Sequence, residues 1–190
     1  MKQKQILLLI PILLLTLSGR TWKYFPKYYK SLAYVSFFNS FYYYLCKRYL
    51  LWEFPPGGFH WRILRSMHIF FITPLLVLAF LSKFPETLPR KLSYIIKWTV
   101  GSTMVEHFAV KENMIMFKHG WNIFWSGLIY LLMYSFSYLL TKKPVVTWIL
   151  SFYSLFFFLT FFKVPFRRRL LKGPFFFLVK TDRSIPFEIS

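Results

Sequence analysis

Acidic residues are scarce in this chain: 6 aspartates and glutamates stand against 25 lysines and arginines in 190 residues. Charge of either sign is thin, at 16%, where a soluble domain carries about 25%. No paired-carboxylate motif, hydrolase elbow, phosphate loop or HExxH helix occurs. Cysteine is reduced to Cys46, which excludes an internal disulfide framework and a multi-cysteine zinc site. His60, His68, His107 and His119 contain no i, i+4 pair, so no helical metal-ligand pair is on offer. No catalytic residue, cofactor or metal is therefore expected. The net charge of +19 could suit nucleic acid, but the basic residues sit in the gaps between apolar runs and no soluble module presents them. Anionic lipid headgroups are the simpler partner.

What the chain has instead is hydrophobicity, at 56% of residues with a mean hydropathy of +0.44. One soluble core of this size cannot bury that much apolar surface. A bilayer removes the difficulty, because the outer faces of helices can stay apolar. Aromatics reach 24%, with 25 Phe, 13 Tyr and 7 Trp. Tyr and Trp suit the two membrane interfaces, although Phe, Tyr, Ile and Lys also rise together in AT-rich genomes. The expected fold is all-α: a single polytopic membrane helix bundle over 1–190.

Six spans are expected, at about 5–22, 31–51, 67–84, 92–110, 120–140 and 145–162, followed by a basic tail over 163–190. The first is short and interrupted by Pro11. A retained span, a signal peptide and an interfacial helix all fit it, and the retained span is preferred because no Ala-x-Ala site follows. Residues 20–30 read as a connector and Pro55-Pro56-Gly57-Gly58 as a turn. Pro74 should kink the third span. Lysine and arginine near the span ends favour one side, which takes Lys2, Lys4, Lys47, Arg48, Arg62, Arg65, Lys111, Lys118 and the tail. Both termini should then be cytoplasmic. Arg167, Arg168, Arg169 and Lys172 read as a topology determinant and a headgroup anchor.

An ionisable residue inside a span is costly and points to a site or a partner. Glu106 is the foremost of these. In the fifth span His119, Asn122, Ser126, Tyr130, Met133 and Ser137 recur at helical spacing and form a polar seam. A short connector makes the fourth and fifth spans antiparallel neighbours. Glu106 should then hydrogen-bond His119 or Asn122, in a cluster of Glu106, His119, Asn122 and Ser126. Such a cluster either sets the register of the hairpin or binds a proton or cation. Asn39 with Ser36 and Ser40 forms a second patch, suited to hydrogen bonding between helices, and Gly120 and Gly127 could permit close helix approach. Lys97 could snorkel toward the headgroups.

Two stretches carry a resemblance: Tyr43-Tyr44-Leu45 through Leu51-Trp52-Glu53-Phe54, and Val105-Glu106-His107-Phe108 with Lys118-His119-Gly120-Trp121-Asn122, Trp125-Ser126, Lys143-Pro144 and Trp148-Ile149-Leu150-Ser151. Their order and spacing resemble an uncharacterised family of small multi-pass membrane proteins of endospore-forming Gram-positive bacteria. The resemblance implies a bacterial plasma membrane and no reaction, and it adds Trp121 to the residues of interest. The expected function is association with membrane partners or with a second copy. The alternative is a small proton- or cation-linked transporter or channel using Glu106, His119 and Asn122.

Overall fold

The computed structural model describes residues 20–46, 49–54 and 61–165. The expected first span lies outside them except for its last residues, as do Lys47, Arg48, His60, the Pro-Gly turn and Arg167, Arg168, Arg169 and Lys172. Within the described residues the chain is mostly helical, with one pair of two-residue strands. A 3-10 turn, Thr21–Tyr24, leads into α1, Phe25–Leu45. Strand β1 is Trp52–Glu53. Helix α2 is composite: Trp61–Met67 is α-helical, His68–Ile72 is a π-turn and Thr73–Ser82 is α-helical again. Then come α3, Leu88–Lys111, strand β2, Met116–Phe117, α4, Ile123–Leu140, and α5, Pro144–Phe161.

Proline sets several of these starts. Pro26, Pro89 and Pro144 all lie in the first turn of a helix, where a missing N–H costs nothing and φ is already helical. Pro26 corrects the reading of 20–30 as a connector, because α1 begins at Phe25 rather than at 31. The same helix stops at Leu45 rather than 51, because Leu50–Glu53 folds back as a loop and strand. The strand pair itself was not expected of an all-α chain. It is antiparallel, with Trp52 opposite Phe117 and Glu53 opposite Met116.

Among the described residues three helices, Arg62–Ser82, Ile123–Leu140 and Pro144–Phe161, are long and apolar enough to cross a membrane. Helices α1 and α3 have the length, at 21 and 24 residues, but their tyrosines, serines and lysines lower the hydropathy. Helix α4 is central and touches α1, α2, α3 and α5. Its Tyr134 is fully buried against Phe80 of α2 and Trp98 of α3. Gly127 lets α3 approach: a Cβ there would lie 3.3 Å from the Thr103 hydroxyl oxygen. Gly120 does something else, holding a positive φ in a turn with open space around it.

The π-turn explains a polar residue on the neighbouring helix. Thr73 N–H reaches back to His68 O, so the next bond in that pattern would run from residue 74 to Ile69 O. Pro74 has no N–H to give. The orphaned Ile69 carbonyl instead accepts from Ser36 Oγ of α1, at 3.0 Å. Ser40 bonds within its own helix to Ser36 O, and Asn39 Nδ2 has no partner among the described residues, so of the expected patch it is Ser36 that is seen to join helices. Ser36→Ala should lower stability by about 1–2 kcal/mol, the cost of a buried carbonyl left unpaired. Thermal unfolding in detergent measures it, and an unchanged midpoint would mean that Ile69 O is met another way.

Candidate functional site

Glu106 points from α3 into the bundle and is only 3% exposed. One of its oxygens, Oε1, accepts two hydrogen bonds, from Ser126 Oγ of α4 at 2.6 Å and from Trp52 Nε1 of β1 at 3.1 Å. The Trp121 indole donates to Ser126 Oγ at 2.9 Å. An indole N–H can only donate, so Trp121 fixes the direction of the chain: Ser126 accepts from it and gives its own proton to Glu106. The Tyr130 hydroxyl is near enough to the carboxyl to interact electrostatically. Among the described residues no cation pairs with Glu106.

The bond expected from His119 or Asn122 is made instead by Ser126, the remaining member of the expected cluster. His119 and Asn122 do not reach Glu106, for local backbone reasons. Asn122 is extended, at φ −147° and ψ 177°, and caps α4 by accepting from Phe124 N and Trp125 N. His119 (φ 54°) and Gly120 (φ 80°) form the two left-handed corners of a tight turn closed by Trp121 N–H to Lys118 O. That turn swings His119 outward, where its ring stacks on Tyr49 at 3.6 Å. The helical face extrapolated through His119 and Asn122 begins only at Ile123.

The partner that the sequence did not suggest is Trp52, 54 positions from Glu106. It arrives through the loop after α1, which Tyr42 holds in shape. The Tyr42 hydroxyl accepts from Leu51 N (3.0 Å) and Trp52 N (3.2 Å) and donates to Trp52 O (3.3 Å). Lys118 N–H bonds Leu51 O at 2.8 Å, and Glu53 pairs with Lys118 and, at 3.9 Å, with Arg65. The Trp52 ring also meets His68 in the π-turn, with ring centroids 4.8 Å apart. His68 has a partner on each nitrogen, Tyr43 OH at 3.4 Å and Thr73 Oγ1 at 3.2 Å. A partial signal was present: Trp52-Glu53-Phe54 sets an aromatic and an acid directly before Pro-Pro-Gly-Gly, where a helical run cannot continue.

Trp52 therefore lies between a buried carboxyl and a half-buried imidazole, and links the end of α1 to α2 and α3. Ser126, at 2% exposure, is as closed as Glu106. Among the described residues no three His, Cys, Asp or Glu come together to hold a metal. The arrangement orients and locks side chains. No family model, curated protein or solved structure matches the chain.

Proposed function

We propose that this chain is a six-span protein of a bacterial plasma membrane, with both termini cytoplasmic, that acts by association with other membrane proteins or itself. The carrying observation is where the polar groups go. Glu106 and Ser126, Ser102 and Tyr134, Tyr34 and Ser151, and Ser31 and the Ser137 carbonyl pair with one another inside the bundle. Large apolar side chains such as Phe71, Phe124, Ile149 and Phe156 face outward. A protein so arranged keeps its hydrogen bonds for its own packing and offers its surface to lipid and to other helices. The basic tail with Arg167, Arg168, Arg169 and Lys172 would anchor it to anionic headgroups. Extraction from native membranes in mild detergent tests this reading. A complex heavier than one 23.1 kDa chain in its micelle is expected, and a monomer alone would overturn it.

A second reading, a proton- or cation-linked transporter, draws on one observation: Glu106 is buried without a cation among the described residues. It narrows to Glu106 and Ser126, since His119 and Asn122 lie elsewhere. The response to Glu106→Gln, described in the Discussion, separates it from the first.

A further inference from the structure

Helix α5 presents an apolar outer face, with Val145, Ile149, Tyr153, Phe156 and Phe157 all exposed. Helix α3 is different. Between its exposed Leu92, Ile96, Val100, Met104 and Phe108 runs a line of Ser93, Lys97 and Gly101, four residues apart and equally exposed. Lys97 has no ion pair or hydrogen bond among the described residues. A Cβ on Gly101, one turn further, would meet nothing within 4 Å, so the helix surface is notched there.

The depth of Lys97 follows from the register of α3 against α4, one of the three helices able to cross a membrane. Lys91 Nζ bonds Tyr138 OH at 3.0 Å near one end of α4, and Glu106 meets Ser126 near the other. At 1.5 Å per residue, Lys97 lies about 9 Å along the axis from Lys91 and about 14 Å from Glu106. With α4 set across a bilayer, as in the reading proposed above, Lys97 would lie well inside a hydrocarbon layer about 30 Å thick. Five staggered bonds of about 1.5 Å carry a lysine ammonium only about 6 Å from its Cα, so snorkelling alone leaves the charge short of the headgroups. The partner that best offsets the cost of a cation in that position is a carboxylate beside it.

Among the described residues no carboxylate stands beside Lys97 on the outer face of α3. The chain's six acids are Glu53, Glu86, Glu106, Glu112, Asp182 and Glu188. Glu106 alone lies within the length of a described helix, and it is buried on the opposite side of α3. A second copy brought face to face would set Lys97 against Lys97. Resting on the association reading above, we infer that the outer face of α3 docks a transmembrane helix of a different protein, one carrying an aspartate or glutamate at the depth of Lys97, with Gly101 as the point of closest approach. A pairing between helices at that depth is both attractive and selective, because every partner without the acid leaves the ammonium unpaired.

The test uses the full chain in its native membrane, with a photoreactive phenylalanine at Met104 on the α3 face or, as a control, at Ile149 on α5. Irradiation should give a single protein adduct from Met104 and none from Ile149. Mass spectrometry should place the adduct in an apolar helix with an acidic residue near its middle. Lys97→Arg should keep the adduct, whereas Lys97→Glu should cut it at least about tenfold through like-charge opposition. Changing the partner's acid to lysine should restore it to Lys97→Glu. Lys97→Leu, which only makes an exposed position apolar, should fold normally and also lose the adduct. An adduct indifferent to both Lys97 changes, an adduct with a second copy, or lipid adducts alone would overturn the inference while leaving self-association open. A monomer in mild detergent with no protein adduct from either position would instead remove the association reading itself.

Discussion

Replacing Glu106 with leucine is expected to cost about 3 kcal/mol of stability, the largest effect of any single change considered. The reason is the geometry of its donors. Trp52 Nε1 and Ser126 Oγ both converge on one oxygen, and removing it leaves an indole N–H and a hydroxyl in an apolar interior with nothing to accept them. Glu106→Gln behaves differently. Its amide oxygen can take the place of Oε1 and accept both bonds, and its amide nitrogen can donate toward the Tyr130 hydroxyl. The glutamine variant should therefore stay within about 1 kcal/mol of the parent, as read from thermal unfolding in detergent. Association should be unchanged. If Glu106→Gln is as damaging as Glu106→Leu, the ionised group itself is required and the packing account fails. If it folds normally but abolishes proton- or cation-coupled flux in reconstituted vesicles, the transporter reading takes over.

Tyr42→Phe should rank next, at about 2–3 kcal/mol for the loss of one oxygen atom. That hydroxyl meets three backbone groups of the loop, Leu51 N, Trp52 N and Trp52 O. Water cannot easily replace it, because Leu50 and Leu51 are buried in a cluster with Tyr43, Cys46 and Phe158. Losing the loop also loosens Trp52, and with it the bond to Glu106. Hydrogen exchange at the Leu51 and Trp52 amides should accelerate well before the helical amides of α4 do. Protection equal to the parent at those two amides would show that Tyr42 does not shape the loop. Glu53, partly exposed and paired with Lys118 and Arg65, should matter far less, since ion pairs open to solvent contribute little.

The ease of reading these residues from the chain varied with how local their causes are. Helices α2 to α5 fall close to the expected spans, because each is an apolar run closed by proline, glycine or a capping side chain. Ser126 was legible only as a member of the polar seam beside Glu106, because a short connector forces two helices side by side; the bond itself was expected from His119 or Asn122. The same reasoning failed for His119 and Asn122, which lie at helical spacing but outside the helix: a tight turn and an N-cap claim them. Pro74 was expected to bend its helix. The accommodation it receives, a π-turn with a serine from α1, depends on which helix lies alongside.

Local chemistry decides much here: roughly where the helices after residue 61 begin and end, and that one carboxyl lies within a described helix. Packing decides the rest: that an indole from a distant loop reaches that carboxyl, that His68 is half-buried while His119 is exposed, and that α3 rather than α5 carries a cation on its outside. Hydrophobicity could not have told these apart, because in a bilayer the inside and the outside of a bundle are equally apolar. Which face of a helix meets protein is settled only when the neighbouring helices close around it.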